Sequence, residues 1–256
     1  MKFRKISKLL ALTATAMLLA TTAQANPTQG TWATTLVPHD LVGYSTNIYR
    51  GTDAFYDTVL DITWLRNADV NGRQTWAVAN DWANNLTYGG YDDWRLPTIG
   101  DTGNLGCYSA YGNFSDCGYN PRTVINGVTY SEMAHLLSVT LGNKGKCTPG
   151  YPNCITQANW GMTNVGGFQG MASGNYWLGT ESASSSSRAW YFDTSEQYQS
   201  DGAKTNSLYA MAVRSGNVMI PGVVPIETVP EPKTLVLVLV ALVGLGMVRR
   251  NRAVRA

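Results

Sequence analysis

The chain has 256 residues, with 19 Lys and Arg against 17 Asp and Glu, a formal charge of +2, and 44% hydrophobic residues. That balance is uneven along the chain: ten of the basic and 16 of the acidic residues lie within 26–228, so this body carries −6. A −6 body without a basic run excludes nucleic acid and other polyanions as partners held by bulk charge. Its roughly 200 residues suit one domain with a sizeable core. At the N-terminus, Lys2, Arg4, Lys5 and Lys8 precede an apolar run over 9–20. Ala23-Gln24-Ala25 then supplies a small-x-small cleavage pattern. Residues 1–25 therefore read as a signal peptide, with signal peptidase cutting between Ala25 and Asn26.

All eight tryptophans and all fourteen tyrosines fall in the body, which also abounds in Gly, Ser, Thr and Asn. This composition predicts an extracellular, loop-rich α+β fold. Residues 26–56 form an N-terminal segment of the body. The run Val-Leu-Asp-Ile-Thr-Trp over 59–64 is β-branched and partly alternating, and predicts a strand. Asn71-Gly72 marks a turn. Trp76, Ala79, Ala83 and Leu86 recur at helical spacing, and Gly89-Gly90 would end that helix. A second helix is predicted from Thr129, with Thr129 and Glu132 as a capping box and Met133, Leu136, Leu137 and Leu141 as its buried stripe. Strands are expected over 176–180, 189–192 and 209–214. The Ser/Ala-rich 182–187 reads as a loop.

The four cysteines, Cys107, Cys117, Cys147 and Cys154, all lie in the body. Three pairings are open. Local pairing, 107 with 117 and 147 with 154, is favoured because each pair brackets a short Gly/Tyr/Asn/Pro-rich loop. Loops this small contribute up to about 3 kcal/mol each in the chain-entropy account. A zinc site is the alternative, but no C-x-x-C pair and no nearby histidine supports it.

Residues 218–232 contain Pro221, Pro225 and Pro230 and read as an extended linker. The segment Val229-Pro230-Glu231-Pro232 leads into an apolar run over 235–248 and then into Arg249, Arg250, Arg252 and Arg255. This order resembles the PEP-CTERM sorting signal of Gram-negative bacteria, which is read by exosortase. About 14 apolar residues span roughly 21 Å as a helix. That is short of the ~20 residues of a full span, yet Leu and Val would still contribute about −4 kcal/mol to insertion. Residues 233–256 are accordingly expected to form a transmembrane anchor helix with a basic, cytoplasmic end. The expected course is export by Sec, a transient inner-membrane stage, and then the cell surface or extracellular matrix.

Within the body, Thr63-Trp64, the helix over 76–86, and Gly89-Gly90-Tyr91-Asp92-Asp93-Trp94-Arg95-Leu96-Pro97-Thr98 come in sequence. Glu132 to Leu137, Tyr176-Trp177-Leu178-Gly179-Thr180, Ala189-Trp190 and Ala212-Val213-Arg214 follow. The ordered set, over 57–214, resembles the C-terminal domain family of the collagen-like adhesin Lcl. That resemblance implies a C-type-lectin-like α+β fold related in shape to formylglycine-generating enzymes. Trp64, Trp94, Arg95, Leu96, Pro97, Tyr176, Trp177 and Arg214 would then be fold-determining. Trp94 would bury its ring, Arg95 would be held by a carboxylate or by carbonyls, and Pro97 would fix a strand exit. The founding adhesin's domain is associated with sulfated polysaccharide and with trimers. The −6 body points instead to a neutral or weakly acidic exopolysaccharide, and without a collagen-like repeat the trimer does not carry over. Residues 99–128 form an insertion.

Catalytic motifs are lacking: no G-x-S-x-G, H-E-x-x-H or P-loop occurs. Paired carboxylates for glycoside hydrolysis remain the enzymatic alternative. No cofactor is expected, calcium excepted. Asp92 and Asp93 are its candidate ligands, with Asp69 and Asn71 as a second pair. Sugar faces would stack on tyrosine and tryptophan, with Asn and Asp bonding hydroxyls, which selects Asn175, Trp190, Tyr191, Asp193 and Tyr198. A structural matrix protein with protein partners is the second reading.

Overall fold

The protein is described by a computed structural model covering residues 30–41, 51–103, 116–119, 123–125, 127–149, 151 and 153–218. The expected cleavage site at Ala25 and Asn26, Cys107, the Pro-Glu-Pro segment from Val229 to Pro232, and the tail with Arg249 and Arg250 lie outside the described residues. Among the described residues, no helix is long and apolar enough to cross a membrane.

The architecture is mixed α+β. A short helix α1 (Trp32–Thr35) leads into β1 (Leu36–His39), followed by β2 (Ala54–Asp57) and β3 (Ile62–Leu65). These strands and the last one, β9 (Val213–Ser215), form an antiparallel sheet in the order β1-β2-β3-β9. The last strand thus closes the sheet beside β3, at the edge opposite β1. The strand expected over 59–64 starts later, at Ile62. The Asp57 carboxylate is the reason: its Oδ1 accepts from the backbone N–H of Val59 at 2.9 Å and of Leu60 at 3.1 Å. With Asp61 at φ +53, the turn closes before the β-branched run can extend.

Helix α2 (Trp76–Asn84) follows its predicted periodicity, with Ala79 and Ala83 fully buried. It stops before Gly89-Gly90, which instead turn the chain at φ +62 and +83 ahead of Tyr91. The ribbon β4 (Val124–Ile125) and β5 (Val128–Thr129) precedes α3 (Glu132–Ala134). That helix continues as π-helical turns over His135–Thr140. Its cap is Ser131, whose Oγ accepts from Ala134 N–H. Thr129 belongs to β5, so the expected capping box does not form. The stripe Met133, Leu136, Leu137 and Leu141 is buried as its spacing predicts, and packs with Trp64, Phe55 and Phe168 in the main core.

A second antiparallel sheet, β6 (Asn175–Glu181), β7 (Arg188–Asp193) and β8 (Tyr198–Ala203), was only two-thirds legible in the sequence. β8 reads Tyr-Gln-Ser-Asp-Gly-Ala and lacks the β-branched signature; its pairing with β7 decides it. The expected strand over 209–214 is a bridge at Tyr209 followed by the short β9. Cys147 and Cys154 are joined as expected, and Cys117 is also disulfide-bonded. Val218, the first residue of the expected linker, is buried with Leu41, Leu65 and Trp94, so the packed body extends at least that far.

His135 lies in this core with both ring nitrogens buried and without hydrogen-bond partners. Burial pushes its pKa below the ordinary 6.5, against a smaller upward pull from Asp57. The unfolded chain binds that proton normally, so stability is full well above pH 6.5 and falls as pH drops below it. His39 shifts in the same direction. His135→Leu is expected to leave the midpoint at pH 8 unchanged or raised, and to flatten, though not abolish, the acid decline. Thermal melts from pH 8 to 4.5 measure this, and an acid decline as steep as in the wild type would count against it.

Candidate functional site

The Trp-Arg-Leu-Pro-Thr segment is framework. Trp94 and Leu96 are buried, and Arg95 pairs its backbone with Val213 of β9. The Arg95 guanidinium forks onto Glu132, at 2.7 Å to each carboxylate oxygen. Glu132 Oε2 also accepts from Thr98 N–H at 2.7 Å, tying the segment to the start of α3. Pro97 O accepts from Gly179 N–H at 2.8 Å, linking it to β6. Tyr176, Trp177 and Trp64 are wholly interior.

Asp93, a calcium candidate from sequence, gives both its oxygens to Arg214, at 2.7 and 3.0 Å. That hydrogen bond is the main cause holding its carboxyl below the usual range. Arg214 also stacks over Tyr91 at 4.0 Å. Neighbouring Asp92 is exposed. Among the described residues, no three His, Cys, Asp or Glu side chains gather as metal ligands would.

The five sugar-contact candidates divide by strand parity. The registers Asn175↔Asp193↔Tyr198 and Trp177↔Tyr191↔Ser200 put Asn175, Asp193, Tyr198 and Tyr191 on one face of the second sheet. Trp190 falls on the opposite face. It is buried and donates from Nε1 to Asp101 Oδ2 at 2.8 Å, so it is a core residue and not a ligand contact. It is one of the bonds that latch the 99–128 insertion to the sheet. Asp193 is engaged in its own hairpin: its Oδ1 accepts from Ser195 N–H at 2.7 Å and from the Ser195 hydroxyl.

The structure adds residues the sequence did not single out. Gly118 pairs with Gln199 along the edge of β8, at 2.8 and 3.0 Å. This sets the Tyr119 ring 4.9 Å from Tyr198 at an interplanar angle of 60°. The Tyr119 hydroxyl donates to Glu196 Oε2 at 2.9 Å, and Lys146 holds Glu196 Oε1 at 2.7 Å. Lys146 also reaches over the Trp160 ring, at 5.4 Å from its centroid. Burial, then Glu196, pushes the Tyr119 hydroxyl up to about 12, so it stays a donor. Lys146 is the first cause keeping Glu196 below its usual range. No spacing rule could have joined residues 119, 146, 160 and 198, because each arrives from a separate loop or strand.

A half-buried tyrosine pair and an ordered ion pair thus lie together on the rim of the second sheet of a mixed α+β domain. Residues 53–214 match the Lcl C-terminal domain family, and the chain belongs to that family. This membership suggests an adhesin-like or cell-surface domain. No match was found among curated proteins.

Proposed function

We propose that this is an exported cell-surface or extracellular-matrix protein, sorted by exosortase through its PEP-CTERM tail, whose body binds neutral or weakly acidic exopolysaccharide without catalysis. The C-type-lectin-like arrangement belongs to the same reading, supported by the short strands, short helices and long connections. The observation that carries it is the Tyr119–Tyr198 pair and the Lys146–Glu196 ion pair, with Asn175 in register on the same sheet face beyond Asp193. Tyrosine rings offer flat apolar faces to sugar C–H groups while their hydroxyls, the amide and the charges bond sugar hydroxyls. The −6 charge of residues 26–228 supports a ligand that is not a strong polyanion. A carboxylate held ionised by Lys146 suits hydrogen-bond acceptance better than proton donation, which favours binding over hydrolysis.

The test is titration of the full chain with exopolysaccharide from the producing strain. Tyr198→Ala and Tyr119→Ala are each expected to weaken binding about tenfold, or ~1.4 kcal/mol, while the melting midpoint moves little. A double variant that binds as the wild type does would overturn the reading. One observation favours a second reading, a matrix protein held by protein partners: Tyr151, Ile155 and Trp160, on and just beyond the Cys147–Cys154 loop, are 49%, 50% and 37% exposed. A body that ignores glycans, in a strain whose biofilm changes on deletion, would favour it. Release of reducing ends, lost on mutating one carboxylate, would revive a hydrolase.

A further inference from the structure

Between β3 and α2 the chain reads Asn67-Ala68-Asp69-Val70-Asn71-Gly72-Arg73-Gln74. Oxygen-bearing side chains alternate at 67, 69 and 71, and Gly72 follows at φ +64. Alternate oxygens closed by a sharply turned glycine are the opening half of a calcium loop, because the turn brings successive oxygens toward one centre. The second half, ending on a glutamate, is missing here, with Val78 at its expected place.

The loop is held firmly at both ends. Ala68 N–H donates to Gln169 O at 2.8 Å, and Gln74 exchanges two backbone bonds with Leu208, at 2.7 and 2.9 Å. Asn67 Oδ1 accepts from Asp69 N–H at 3.1 Å. A side chain at Gly170 would come within 3.0 Å of that Oδ1 and 3.4 Å of Asp69 Cβ, so the neighbouring segment must be bare there. Inside this frame two oxygens lack donors: Asp69 Oδ1 and Gln74 Oε1 are both shielded from solvent and without a hydrogen-bond partner. The Gln74 amide spans the loop, its Nε2 donating to Asn71 O at 3.4 Å. The nearby positive charge is spent elsewhere, since the Arg73 guanidinium lies over the Tyr209 ring at 4.9 Å. A shielded carboxylate oxygen with nothing to bond is costly, and a hard cation is the partner its chemistry asks for.

We infer that this loop binds calcium, with Asp69 Oδ1 as the charged ligand, Gln74 Oε1 as a neutral one, and loop Asn or carbonyl oxygens with water completing the shell. A single carboxylate places the affinity in the weak class of extracellular modules, about 10⁻⁴–10⁻³ M. Magnesium is disfavoured because it needs near-octahedral geometry and gives up water reluctantly. The site is separate from Asp92 and Asp93 and from the tyrosine pair.

The experiment is thermal unfolding of the full chain in detergent, in EGTA and in ~10 mM calcium or magnesium, with terbium luminescence excited through tryptophan as a direct readout. Calcium is expected to raise the midpoint by about 3–5 °C and to displace terbium, with magnesium giving less than a third of the shift. Asp69→Asn, which keeps the shape and removes the unpaired charge, should melt in EGTA at or above the wild-type midpoint and lose the calcium shift. Should that variant fail to fold, Gln74→Leu must at least halve the shift. Asp92→Asn must keep it. No calcium response in the wild type, a full response in Asp69→Asn or Gln74→Leu, or loss of response in Asp92→Asn would each overturn the assignment.

Discussion

Trp177→Ala is expected to cost about 3–5 kcal/mol of unfolding free energy, the largest single effect in the second sheet. Its indole is fully buried between β6 and helix α2, against Ala79, Ala83, Leu96 and Ala210. Ala79, Ala83 and Ala210 have no side-chain length to fill the hole, and the neighbouring Trp76 is tied by its Nε1 to Leu178 O, so much of the cavity term remains. Trp177 Nε1 also donates to Gln74 O at 2.9 Å, and its ring meets Tyr191 edge-on at 6.5 Å. Trp177→Phe keeps most of the packing and loses the N–H bond, which predicts a smaller loss of about 1–2 kcal/mol. Urea unfolding separates the two. Equal losses would mean that the hydrogen bond, and not the volume, carries the residue. Because Tyr191 shares the sheet face with Tyr198, the alanine variant is also expected to loosen the proposed sugar platform.

Glu132→Ala is expected to cost about 2–3 kcal/mol. Breaking a buried ion pair costs about 3–5 kcal/mol when the surviving charge is fully enclosed. Here the Arg95 side chain keeps 28% of its exposure and Glu132 keeps 13%, so water relieves part of the penalty. The loss exceeds that of a surface pair because Glu132 also satisfies Thr98 N–H, which no other group in the turn replaces. Arg95→Lys should not be conservative, since an ammonium cannot fork onto both oxygens. The double variant Arg95→Ala/Glu132→Ala should lose less than the two single variants together, because it leaves no orphaned charge. Additive losses in denaturant titrations would show that the two side chains act independently.

Much of the framework is legible in the amino-acid sequence. The buried stripe of α3, the small-residue face of α2, the Cys147–Cys154 bridge and the burial of Trp94 each follow from local spacing or composition. The expectation that Arg95 is held by a carboxylate also holds, although the partner, 37 residues on, was read as half of a capping box. The structure departs from the pattern where a polar side chain outweighs propensity. Asp57 closes a turn inside a β-branched run, Ser131 takes the cap expected at Thr129, and Trp190 turns inward with its indole N–H on a half-buried Asp101 carboxylate. Strand β8 was invisible because nothing in Tyr-Gln-Ser-Asp-Gly-Ala resembles a strand by itself.

The sequence by itself determined the composition of the body, its charge once the terminal segments are set aside, and the ordered motifs that mark the Lcl C-terminal domain family, and it favoured the Cys147–Cys154 bridge that the structure shows. These are local properties: they depend on residue type and on spacings of a few positions. The tertiary structure alone decided which polar groups meet. It put Arg214 on Asp93, Lys146 on Glu196 and Tyr119 on Tyr198, and it left Asp69 and Gln74 each with a buried oxygen and no donor. Such pairings join segments 50 to 121 residues apart, and the energies of the polar ones depend on burial and direction over distances of about 3 Å. No pattern along the chain encodes that, which is why the family is legible in the sequence and these side-chain pairings are not.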